Sequence, residues 1–125
     1  MRPSILIIEP RHDVASALED VVNSANYVAV IMPYVERLAD VEILPAAIIV
    51  RIAFESTSEP THASIARLGT GRPPVVAIAS GDNEVAEAHR LKCDVVLRAP
   101  RDVSRLCDVL ADLVNAPKLC VSGCV

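Results

Sequence analysis

Few residues in this 125-residue chain have the type and spacing to do chemistry. Glu9 stands directly behind the apolar run Ser4–Ile8, followed by Pro10, and Arg51 stands near the end of a second run, Ala46–Ile52. Two further runs, Val75–Ser80 and Val95–Ala99, finish on Ala79-Ser80 and on Ala99-Pro100. Continuous aliphatic runs of this length read as buried strands. A crevice at their carboxyl ends that handled phosphate and magnesium would need paired acids for the metal, and a hydroxyl and a lysine for the phosphoryl oxygens. This one offers one acid, one arginine and no well-placed hydroxyl. A guanidinium is permanently protonated and is not a nucleophile. It also repels a dication, and the single carboxylate of Glu9 is a poor hold for an octahedral ion.

Arg51 has three readings at this point: a structural ion pair with Glu9, an anion-binding spot shared with Arg98 or Arg101, or a side chain in solvent. The other reactive residues assemble into nothing recognisable. His12, His62 and His89 have no i,i+4 pairing and no cysteine at ligand spacing, so no metal is expected. Ser80, Asp82 and His12 lack the G-x-S-x-G elbow that would order a nucleophile. The Gly69–Gly71 turn lacks the lysine and hydroxyl of a phosphate loop. Cys120 and Cys124 are spaced C-x3-C, unlike the C-x-x-C of redox and zinc motifs, and read as part of a plain tail. With no poised acid–base pair, the expectation is a protein that is not an enzyme and carries no cofactor.

Composition narrows the class. The chain is 52% hydrophobic with one Phe, two Tyr and no Trp, so the core is branched-aliphatic and no base-stacking surface is available. A net charge of −4, with twelve scattered basic residues, argues against nucleic-acid binding. No run is long enough to span a membrane, and the start MRPSILIIEPRHD does not resemble a signal peptide. Cys93 and Cys107 fall in helix-like patterns and are expected to be reduced, consistent with a cytoplasmic address.

The elements that must position Glu9 and Arg51 alternate along the chain. Asp13 is placed to cap a helix with Val14, Leu18, Val21, Val22 and Ala25 inward, ending near Ser24–Asn26, where Asn26 can take the left-handed position. Val28–Met32 is a short edge strand ended by Pro33, and a helix follows over 34–43. After strand Ala46–Ile52 come an exposed loop, Glu55–Thr61, and a short helix, His62–Leu68. Strand Val75–Ala79 leads into a helix from Glu84 to Lys92, and strand Val95–Arg98 into a last helix capped by Asp102. The stripe of that last helix is Val103, Leu106, Cys107, Leu110, Leu113 and Val114. Five β-α repeats with strands buried on both faces predict a three-layer α-β-α sandwich around a five-stranded parallel sheet. Its ligand crevice is then lined by Glu9, Pro10, Arg51, Ala53, Ala79, Ser80, Ala99 and Pro100. Residues 1–116 form one domain and 117–125 a tail.

The stretches SILIIEPRHDVASALEDVVNSANY, PAAIIVRI, PPVVAIAS and DVVLRAPRDVSRL, taken together from Ile5 to about Asn115, resemble the receiver domain of two-component response regulators. The resemblance implies a flavodoxin-like strand order, 2-1-3-4-5. It places the family's magnesium-binding acidic pair on Glu9 and Pro10, and the phosphoacceptor aspartate on Arg51. The switch hydroxyl falls on Ala79, with Ser80 one position late, and the lysine on Ala99, with Pro100 kept. The aromatic switch falls on Val96. This is the pattern of a degenerate pseudo-receiver that has lost its chemistry. The resemblance implies a protein partner, such as a histidine kinase, a phosphotransfer protein or an output regulator. It also implies possible homodimerisation through the face made by the 84–92 helix, the fifth strand and the last helix. The alternative is a small-ligand or anion sensor anchored on Arg51.

Overall fold

The computed structural model describes residues 2–32, 44–52, 65, 72–99 and 101–115. Strands β1 (Ser4–Ile8), β2 (Val28–Met32), β3 (Ala47–Arg51), β4 (Val75–Ala79) and β5 (Val95–Arg98) form one parallel sheet in the order β2-β1-β3-β4-β5. This is the expected three-layer architecture and strand order. The three central strands are the most deeply buried. Every residue of β4 is buried, as are four of the five in β1 and in β3. Strands covered on both faces need aliphatic runs, and the edge strands β2 and β5 are only partly covered.

The pleat divides the aliphatic residues between two cores. Ile5, Ile7, Ile49 and Ile78 pack on one face against Leu18 and Val22 of α1 (His12–Ser24) and Leu106 and Leu110 of α3 (Leu106–Asn115). Leu6, Ile8, Ile48 and Val50 pack on the other against Ile65, against Ala88 of α2 (Asp82–Arg90) and against Leu91 just beyond it. Each fully buried aliphatic side chain of this size contributes roughly 1.5–3 kcal/mol. These two cores hold the carboxyl ends of the strands in register.

Several local expectations are corrected. The N-cap of α1 is Arg11, not Asp13, and no side chain caps the helix. Asp13 lies in the first turn, where its carboxylate accepts a bond from Arg11 Nη2 at 3.0 Å. Asn26 does take the left-handed position, with φ 72°. Helix α2 runs from Asp82 to Arg90 rather than from Glu84 to Lys92. Gly81 has the extended backbone of an N-cap, so the acids Asp82 and Glu84 fall in the first turn, where the helix dipole favours them.

At the other end of α2, Lys92 turns left-handed with φ 59°. Arg72 Nη2 donates to the carbonyls of Leu91 and Lys92, both at 2.9 Å, while its Nη1 donates to the carbonyl of Ile65 at 3.2 Å. One guanidinium thus satisfies carbonyl oxygens that the helix itself leaves without partners.

Asp102 does not cap the last helix with its side chain. A 3-10 turn, Val103–Arg105, intervenes before α3. The Asp102 carboxylate reaches backwards instead, accepting the Arg98 N–H at 3.1 Å. Cys107 is exposed, and Val109 takes its expected place in the buried stripe. Consecutive helical residues are about 100° apart, so a stripe through Leu106, Val109, Leu110 and Leu113 turns Cys107 away from the sheet. Pro33, the helix expected over 34–43, Ala53, the loop Glu55–Thr61, the 62–68 helix apart from Ile65, Pro100 and the tail with Cys120 and Cys124 lie outside the described residues.

Candidate functional site

The site grows from the ends of β1 and β3. These strands pair with Ile8 opposite Val50, and the next rung brings Glu9 beside Arg51 with the same 42-residue offset. Both residues continue the phase of Ile5, Ile7, Ala47 and Ile49, so both side chains leave the sheet on the face covered by α1 and α3. Arg51 Nε donates to Glu9 Oε1 and Arg51 Nη2 donates to Glu9 Oε2, each at 2.9 Å. This two-point fork is the strongest common geometry for an arginine and a carboxylate. Glu9 Oε2 also accepts the Arg11 N–H at 3.1 Å, in the turn that opens α1.

Burial makes the pair unequal. The Glu9 side chain is 1% exposed and that of Arg51 24%. Glu9 is the sole buried charged residue among those described. A carboxylate so removed from water requires compensation. Three N–H donors supply it, two of them on a fixed positive charge. Both oxygens are thereby engaged, and the guanidinium holds a positive charge directly beside them. No group of acids, histidines or cysteines able to hold a metal ion occurs among the described residues.

The other strand ends add little chemistry. Ala79 is buried, and its carbonyl accepts the Ala99 N–H at 2.8 Å, which continues the β4–β5 ladder past Arg98. Ser80 and Pro10 are exposed, and Val96 packs against the α2-side core. Pro100 and Ala53 are not among the described residues. Of the three readings of Arg51, the structure forms the ion pair.

The shared anion spot with Arg98 or Arg101 is not assembled. Arg98 follows the phase of Val96 and leaves on the opposite, α2-side face, where Nη2 pairs with Asp82. Arg101 Nε lies 3.5 Å from Asp102 Oδ1. The Arg98 N–H holds the Asp102 carboxyl below the usual aspartate range, against an opposing loss of hydration and with help from Arg101 and the charge on Arg105. Burial pushes the Cys93 thiol up to about 11, so this half-buried cysteine is a packing residue and not a nucleophile.

Sequence reasoning missed Arg72 and Arg11. Arg72 sits in what reads as a plain turn, and nothing in its neighbours signals that it will close the end of a helix starting ten residues later. Arg11 contributes only a backbone N–H, which has no sequence signature.

No family model matches the chain, and no curated protein sequence matches it. Solved structures do. A response regulator receiver domain protein from Clostridium thermocellum aligns at 11% identity over 94% of this chain and 98% of that one, with a TM-score of 0.74. The signal receiver domain of a signal transduction histidine kinase from Syntrophus aciditrophicus aligns at 18% identity over 93% and 92%, TM-score 0.75. A response regulator receiver protein from Pseudoalteromonas atlantica aligns at 15% identity over 91% and 98%, TM-score 0.74. The chain therefore has the fold of two-component receiver domains. Among the described residues, no helix is long and apolar enough to cross a membrane.

Proposed function

We propose that this chain is a receiver-like signalling module that acts without phosphorylation, as a cytoplasmic, non-enzymatic docking protein in a two-component or related pathway. The observation that carries the reading is the Arg51–Glu9 fork. At the end of β3, where the resemblance puts the phosphoacceptor, stands a group that cannot attack phosphorus. At the end of β1, the surviving acid is already bonded through both oxygens. Transfer to a carboxylate needs an in-line acceptor oxygen and a cation to carry the growing charge, and this arrangement supports neither. Ala79 and Ala99 add no side-chain donor for a phosphoryl oxygen.

What remains of a receiver is its surfaces. The partners that fit are a histidine kinase, a phosphotransfer protein or an output regulator. A second copy, bound through the face of α2, β5 and α3, fits as well. The anion-sensor reading is less well supported, because Arg51 directs two of its nitrogens to Glu9 and Arg98 leaves the sheet on the other side. The test is incubation with magnesium and acetyl phosphate followed by intact-mass measurement. The expected mass is unchanged, and a gain of one phosphoryl group on an aspartate or glutamate overturns the proposal.

A further inference from the structure

Strand β2 forms one edge of the sheet, and among the described residues it pairs with β1 alone. Its sequence, VAVIM, is apolar throughout and carries no charge. The large apolar side chains exposed among the described residues are Val28, Ile31 and Leu44, and the first two, each 39% exposed, lie on this strand. Edge strands are ordinarily guarded by a charge, an internal proline or a bulge that keeps other strands away. β2 has none of these. Its five residues run in unbroken register with β1, and Pro33 comes only after its end. The opposite edge, β5, is shorter and ends on Arg98.

The backbone bonds show which groups face outward. The Val28 N–H donates to the Pro3 carbonyl at 2.9 Å, and the Met32 carbonyl accepts the Glu9 N–H at 3.0 Å. Val28, Val30 and Met32 therefore bond toward β1. Successive residues of a strand direct their N–H and C=O to alternate sides, so Ala29 and Ile31 turn both groups to the outer edge. The outward position before them, Tyr27, has its N–H taken by the Val22 carbonyl at 3.2 Å. The position after them is Pro33, which has no N–H. The edge thus offers a complete donor and acceptor at Ala29 and at Ile31, placed symmetrically about Val30.

We infer that β2 is a self-association edge whose occupant is β2 of a second copy of this chain, running antiparallel about a two-fold axis at Val30. In that register Ala29 stands opposite the second copy's Ile31, and Ile31 opposite its Ala29. Each pair exchanges both of its bonds, so every outward donor and acceptor of the two residues is used. On one face the exposed Val28 comes beside the second copy's Met32, and on the other the bulk of Ile31 meets the small Ala29. Moving the axis to Ala29 would instead set the Ile31 carbonyl against Tyr27, whose N–H is occupied. The strand is its own complement, and without a charge it has nothing to select an acidic or basic foreign strand. Such an interface is isologous and closes at two copies. It lies at the far edge of the sheet from β5 and makes no use of the Glu9–Arg51 pair, so it stands or falls separately from the function proposed above.

The test is sedimentation equilibrium of the full chain from about 1 to 500 μM, where a short strand pairing should appear as a weak monomer–dimer equilibrium. Raising the salt should not weaken it, because salt screens the repulsion between two chains of net charge −4 and no ion pair holds them together. Ile31→Lys places a charge on the exposed edge and should raise the dissociation constant about tenfold or more. Ala29→Pro removes an outward N–H without touching a bond to β1, and should weaken association similarly. Circular dichroism checks folding, and Ile31→Lys decides alone if Ala29→Pro does not fold.

Register is read by cross-linking in a chain whose four native cysteines are replaced by alanine. Val30→Cys puts its Cα about 4.5 Å from its symmetry mate, within disulfide reach under copper–phenanthroline oxidation. Val28→Cys, though more exposed, lies roughly 13 Å from its mate and should cross-link more slowly. The inference is overturned by a monomer across the whole concentration range, by a dimer that tolerates either folded variant, or by faster cross-linking at position 28 than at position 30.

Discussion

Replacing Arg51 by methionine removes the guanidinium and keeps an unbranched stem. Glu9 then remains buried with the Arg11 N–H but without the fork that neutralised it. Stripping one partner from a fully buried pair costs about 3–5 kcal/mol, and discounting for the quarter of Arg51 that already meets water leaves about 2–4 kcal/mol. In a domain of this size that lowers Tm by on the order of 10 °C. Glu9→Gln should cost less, because the orphaned guanidinium can reach solvent while the orphaned carboxylate cannot. The double variant, Glu9→Gln with Arg51→Met, should recover part of the loss, giving a coupling energy of about 1–3 kcal/mol in a double-mutant cycle. Urea denaturation with an unchanged m-value reads all four proteins. The reasoning is refuted if Arg51→Met lies within about 0.5 kcal/mol of the native chain, the range of an ordinary surface change. Strictly additive single costs would refute it equally.

Two further outcomes follow from the same geometry. Asp102 has its carboxyl held below its ordinary value, so its contribution to stability is present above the unfolded-state value and is lost as pH falls through the folded one. Asp102→Asn should therefore flatten the acid limb of the stability–pH curve near and below pH 4 while leaving its slope at neutral pH unchanged, as read by denaturation at stepped pH. In a chain with Cys120 and Cys124 replaced by serine, an alkylating agent at neutral pH should label exposed Cys107 well before Cys93, whose half-buried thiol is pushed up to about 11. Peptide mapping distinguishes the two, and equal rates would show that the α2-side core is more open than its packing implies.

The strands were legible because an unbroken aliphatic run has few alternatives. Ile5–Ile8 and Ala47–Val50 are aliphatic throughout, the pattern of strands covered on both faces in a parallel sheet. Asn26 was legible for a similar reason, since few residues tolerate a positive φ. Caps were misread where one residue type can serve two directions. Asp102 looks like a forward cap, yet its carboxylate closes the turn behind it. Asp13 looks like a cap, yet the helix begins at His12, two residues earlier than a cap at Asp13 would start it. Cys107 was misplaced because a stripe read at i, i+1 accepts either neighbour, and only packing against the sheet selects Val109.

The candidate site was half legible. Glu9 and Arg51 could be placed at strand ends from their runs, but whether they met depended on register across 42 residues. A one-residue slip would have sent them to opposite faces. The partner of Arg98 was not legible at all, since Asp82 arrives from a helix whose start was misjudged by two residues.

The most direct trial of the central claim is an NMR titration with magnesium and beryllofluoride, which together mimic a phosphorylated carboxylate at a metal site. With the Arg51–Glu9 fork in place, the amide resonances of Glu9, Arg51 and Ala79 should stay where they are through the titration. Saturable shifts at those three amides would mean that the crevice still accepts a cation and a phosphoryl mimic, and would contradict the account.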